Sequence, residues 1–207
     1  MNLRLQPQTG AEMNGFISTV DQLNTWIGKA FAWCIVFLTF AVCYEVVSRY
    51  AFGAPTWWAF DVSWMLYGAL FMMAGAYTLA RNGHVRGDFL YRQWPETTQA
   101  KIDLTLYVLF FFPGIISLMY AGWKFAHFSW LINEKSPFSP DGIIIWPVKM
   151  LIPVTGFFMT LQGIAECLRC VVCLRTGKWP RRINDVEEME KLILEQAEAA
   201  KAQQAGA

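Results

Sequence analysis

Hydrophobic and polar positions alternate along this chain on two length scales. On the longer scale, four apolar runs are separated by short segments that carry the charges. Val62–Ala80 holds nineteen residues without a charge and Leu104–Trp123 holds twenty, close to the roughly 20 residues a helix needs to cross a bilayer. A first run, Ala30–Tyr44, is bracketed by Lys29 and by Glu45 with Arg49, whose long basic side chains can snorkel toward water and extend the usable span. The fourth, from Ile143 to Leu174, is interrupted by Lys149, Glu166 and Arg169. Its uncharged centre, Met150–Ala165, covers about 25 Å at a rise of about 1.5 Å per residue. The pattern predicts an all-α integral membrane protein with four transmembrane helices at about residues 29–50, 57–80, 102–125 and 143–173.

On the shorter scale, Phe16, Val20, Leu23, Ile27 and Ala30 recur at three- and four-residue steps opposite Ser18, Thr19, Asp21, Gln22 and Asn24. This spacing predicts an amphipathic helix lying in the membrane interface. It follows a polar stretch, residues 1–14, which lacks the apolar core and small-residue site of a cleavable signal. At the other end, a basic segment from residue 176 leads into Asp185–Ala207, where Val186, Met189 and Ile193 are helically spaced and Asn184 can serve as N-cap. A soluble helical tail is expected there. Pro113-Gly114 predicts a kink within the third span, and Pro153 falls near the outer end of the fourth.

The composition changes the picture little: 55% hydrophobic and 16% charged residues with ten Trp exclude an ordinary soluble domain. The net charge of +1 hides an asymmetry. Arg49, Lys124 and Lys135 fall in the first-to-second and third-to-fourth connections. On the opposite side stand Arg4, then Arg81, Arg86, Arg92 and Lys101 in the central connection, and Arg169, Arg175, Lys178, Arg181 and Arg182 after the fourth span. Basic residues favour the cytoplasmic side, so both termini are expected there. Nothing in this distribution suggests a nucleic-acid partner.

The candidate chemistry is sparse. Cys167-x-x-Cys170-x-x-Cys173 has the start of an iron–sulfur spacing, but Gly177 stands where a fourth ligand would be, so the cysteines read as packing residues. His84 is expected inside and His127 outside, which disfavours bis-histidine haem ligation within one chain. No catalytic residue, metal site or cofactor is predicted. Glu45, Asp61 and Lys149 are expected at outer helix ends, with Glu45 or Asp61 pairing Lys149; Glu166 and Arg169 are expected to pair inside at helical spacing. No ionisable group is expected at the midplane, where a transport pathway would need one. Gly68 and Gly75, seven apart, form a small-residue stripe that permits a close helix approach. Trp57 and Trp58 suit an aromatic belt. The central Arg81-Asn-Gly-His84-Val-Arg86 segment is a candidate for lipid phosphates, helix capping or a partner protein. The chain reads as an accessory membrane subunit.

Arg49-Tyr50, Trp58-x-x-Asp61, Arg81-Asn-Gly-His-Val-Arg-Gly-Asp88, Pro147-x-Lys149 and Pro153-x-x-Gly156 together resemble the DctQ family over roughly residues 20–175. That family is the small permease subunit of tripartite ATP-independent periplasmic (TRAP) transporters. Asp61 stands where the family usually has Glu, and Gly87 where it usually has a β-branched residue. The resemblance implies a scaffold in the bacterial inner membrane, beside a large permease subunit that takes up a small, usually carboxylated solute delivered by a periplasmic solute-binding protein. The alternative is a haem- or quinone-binding membrane anchor of a respiratory oxidoreductase.

Overall fold

A computed structural model describes residues 8–83, 91, 93–139, 142–180 and 196. Among them the regular elements are helical: α1 (Gln8–Ala32), α2 (Cys34–Ala51), α3 (Ala59–Ala80), α4 (Glu96–Leu106), α5 (Phe112–Leu131) and α6 (Trp146–Thr176). One isolated bridge, Lys135 with Ile144, lies in the α5–α6 connection. Among the described residues four helical stretches are long and apolar enough to span a membrane: Gly15–Ala51, Ala59–Ala80, Glu96–Leu131 and Trp146–Thr176. Each overlaps one predicted span, the second and fourth of which begin two and three residues ahead of Ala59 and Trp146. The proposed C-terminal helix, apart from Gln196, lies outside the described residues.

α1 and α2 are nearly continuous, separated at Trp33, where the amides of Trp33 and Val36 bond carbonyls three residues back instead of four. Such tightening is a short 3₁₀-like adjustment. α4 and α5 are joined by a π-helical turn, Tyr107–Phe111, directly ahead of Pro113. Proline has no amide hydrogen and its ring crowds the preceding turn; the widened turn sits where a kink was expected, a local adjustment by which membrane helices re-satisfy freed backbone groups.

α6 is the central post, packing against α1, α3, α4 and α5, while α3 lies against α1, α2 and α6. Small residues set these approaches. A Cβ added to Gly28 would come within 2.6 Å of Tyr77 on α3, and one on Gly163 within 2.4 Å of the Phe111 ring. On Gly122 it would meet Ile152 at 2.5 Å. Close backbone contact of this kind is how helices gain packing energy in lipid, where no hydrophobic force drives them together. α2 stands at the edge, with Ala41 its buried residue.

The ends are closed by local devices. α3 terminates in a Schellman motif: Asn82 is left-handed (φ 54°), its amide bonds the Leu79 carbonyl, and the Gly83 amide bonds the Thr78 carbonyl at 2.9 Å. Asn tolerates that conformation better than most side-chain-bearing residues. α6 ends on Gly177, also left-handed (φ 76°). Near that end, Cys170 and Cys173 pack in an apolar cluster with Ala100, Leu104, Leu174 and Trp179, as expected of packing cysteines.

Candidate functional site

Polar side chains of this bundle form three groups, apart from the pairs of Tyr91 with Asp103 and Thr155 with Met73. The largest joins α1 to α6. Arg169, 1% exposed, donates through its two terminal nitrogens to Asp21 and to Glu166. The Gln162 amide bridges the same two carboxylates from the other side, 2.9 Å from Asp21 Oδ1 and 3.2 Å from Glu166 Oε1. Asn24 Nδ2 donates to Gln162 Oε1 at 2.7 Å. Two carboxylates thus share two donors in a closed ring. An isolated charge costs several kcal/mol to bury, and this ring supplies each charge with a counter-charge or a hydrogen bond.

Glu166 and Arg169 pair as their spacing predicts, and Asp21, Asn24 and Gln162 join them without having been expected there. Asp21 and Asn24, expected on the polar face of an interfacial helix, are buried, whereas Phe16, Leu23 and Trp26 are exposed. Gln162 stands midway along α6, within the run whose uncharged character predicts the span. A signal was available: Gln162, Glu166 and Arg169 are spaced four and three apart, and therefore share a face that Asp21 and Asn24, three apart, can match.

The second group closes the α2–α3 turn. Glu45 accepts from Arg49 Nε at 2.8 Å, from the Thr56 amide at 2.9 Å and from the Thr56 hydroxyl. Ser48 Oγ donates to the Ala54 carbonyl at 2.5 Å. Tyr44 stacks on Trp58 with ring centroids 5.8 Å apart, and Trp57 remains half exposed.

The third group folds the α5–α6 connection over the start of α3. Asp61, fully buried, accepts from Ser136 Oγ at 2.5 Å and from Trp64 Nε1 at 3.0 Å; Phe60 meets Phe138 edge-on at 5.5 Å. Lys149 Nζ lies 2.5 Å from Glu134 and 3.9 Å from the Phe125 ring centroid. The Lys149 ammonium holds the Glu134 carboxyl below the ordinary carboxylate range.

The expected pairing of Lys149 with Glu45 or Asp61 is therefore corrected: Lys149 takes Glu134, Glu45 takes Arg49, and Asp61 takes a serine and an indole. Glu45 lies in the C-terminal half of α2, Asp61 and Lys149 near the N-terminal ends of α3 and α6, and a nearer partner exists for each. Arg49 is one helical turn from Glu45, and the connection brings Glu134 and Ser136 inward. The glycine stripe also divides. Gly75 faces Met159 of α6, its added Cβ 3.3 Å from the sulfur, while Gly68 meets open space. Arg81 covers the Tyr77 ring at 4.7 Å; His84 and Arg86 lie outside the described residues. His127 packs between Trp123 and Trp130, at 6.3 and 6.0 Å.

The arrangement is that of a polytopic helical membrane protein whose buried polar side chains join its own helices. Residues 38–173 match the family described as tripartite ATP-independent periplasmic transporters, DctQ component. The chain belongs to this family, the small permease subunits of TRAP transporters, which are transporter components and not enzymes. No curated protein matches it.

Proposed function

We propose that this chain is the membrane scaffold of a TRAP-type secondary transporter, placed beside a large permease subunit. That subunit takes up a small carboxylated solute delivered by a periplasmic binding protein. The observation that carries the reading is the use of its buried charges: among the described residues, Asp21, Asp61, Asp103, Glu166 and Arg169 are buried, and each is bonded within the chain. Such groups hold helices in fixed relation. A transport pathway would instead present them to a cavity.

The location that fits is a bacterial inner membrane with both termini cytoplasmic, since the basic central connection and the basic residues after α6 then lie inside. Phe16, Leu23 and Trp26 on α1 face outward and suit the lipid interface, while Trp57 and Trp58 suit the opposite headgroup level. Arg81, His84 and Arg86 contact lipid phosphates or the partner. Gly68, open in this chain, offers the large subunit a close approach.

The test is affinity purification of the tagged chain in mild detergent, with the mass of co-purifying membrane proteins and the visible spectrum recorded together. A colourless complex with a large polytopic permease, and solute uptake that needs both genes, is expected. A coloured preparation carrying redox subunits, without that permease, overturns the proposal.

A further inference from the structure

α5 and α6 approach closely at two glycines. An added Cβ would lie 2.5 Å from Ile152 at Gly122 and 3.0 Å from Met119 at Gly156. Close backbones leave the bulky neighbours nowhere to go but outward, so Ile116, Tyr120 and Trp123 on one side and Met150, Val154 and Phe157 on the other rise as walls. Between them runs an apolar groove of about 780 Å³, open to the membrane. Its mouth, at Trp123 and Met150, lies toward the α5–α6 connection. At that mouth the Lys124 ammonium sits 4.3 Å from the centroid of the Tyr120 ring, one of the groove's own walls. The neighbouring Lys149 is already matched by Glu134.

We propose that this groove holds an acyl chain of a glycerophospholipid whose phosphate meets Lys124. Three features select this occupant. The walls offer almost no polar surface, so what lies in them is hydrocarbon. Charge appears at one end alone, where a cation over an aromatic ring stands ready for an anionic group, and Tyr and Trp belong at headgroup level. The length also fits. From Ile116 to Trp123 α5 rises about 10 Å, within one leaflet of a hydrocarbon core about 30 Å thick. A partner helix would follow the whole span. The volume lies inside the roughly 300–1,000 Å³ range of small-ligand sites.

The experiment titrates phosphatidylglycerol brominated on its acyl chains into the full chain in mild detergent, reading tryptophan emission of the wild type against Trp123→Phe. Quenching that saturates near one lipid per chain and disappears with Trp123→Phe is expected. Val154→Phe, which narrows the groove, should weaken it about tenfold. Lys124→Glu should weaken it about fivefold and, at an exposed position, supplies the same reading if Val154→Phe does not fold. Quenching that grows linearly and is indifferent to both substitutions overturns the proposal. So does exclusion of the brominated lipid from the groove in the complex with the large subunit, which would identify a protein helix as the occupant.

Discussion

Arg169 on α6 and Asp21 on α1 form a buried ion pair although 148 positions separate them in the chain. Glu166 shares the same guanidinium and Gln162 bridges both acids, so α1 is tied to α6 by directional bonds. These bonds fix which face of α1 turns inward, something apolar contact alone specifies weakly.

Removing Arg169 leaves two buried carboxylates without their cation. Arg169→Met is expected to cost about 3–5 kcal/mol, the usual penalty for breaking a buried pair from one side. Asp21→Asn, which keeps an acceptor and leaves Arg169 with Glu166, should cost less. Thermal unfolding of the two variants in the same detergent checks the order; equal stability of Arg169→Met and wild type would remove the ring from any structural role.

Gly163 and Gly68 should respond in opposite ways. Gly163→Leu drives a side chain into the Phe111 ring, whose nearest carbon is 2.4 Å from even a Cβ, and overpacking of this kind costs about 1–3 kcal/mol or more. Gly68→Leu enters open space and should leave the isolated chain as stable as before. If α3 is where the large subunit approaches, the same substitution lowers its recovery on co-purification. A chromatographic profile of each variant, alone and with the partner, separates the two effects.

Acidification should loosen the α5–α6 connection. The Glu134 carboxyl is held below its ordinary range by Lys149, so its folded pKa is depressed relative to the unfolded value of about 4.3. The pair therefore contributes stability in full above that value, and the contribution is lost as pH falls through the folded pKa. Glu134→Gln should reduce stability at neutral pH and flatten the profile on the acid side. Unfolding temperatures of both proteins from pH 7 downward check this.

Orientation is testable by labelling. With Cys43, the exposed native thiol, replaced by Ser, a membrane-impermeant maleimide should reach Gly53→Cys and Phe138→Cys from the outside of intact cells. Gly83→Cys and Lys178→Cys should react after permeabilisation alone. The reverse pattern inverts the topology.

The four long helices and the segments between them were legible in the chain, because helix bonding is local and the transfer of a 20-residue apolar run into lipid depends on composition more than order. The distribution of Lys and Arg set the expected orientation in the same additive way. Position along each helix was legible as well: Asp61 and Lys149 stand near the starts of α3 and α6, and Glu166 with Arg169, three residues apart on α6, pair. What position could not supply is rotation about each helix axis. Whether Asp21 and Asn24 point to water or to Gln162, and whether Lys149 meets Asp61 or Glu134, depends on the azimuth at which the helices face one another. That angle is fixed where Gly28 admits Tyr77, Gly122 admits Ile152 and Gly163 admits Phe111, contacts between residues tens of positions apart that only the packed tertiary structure brings into register.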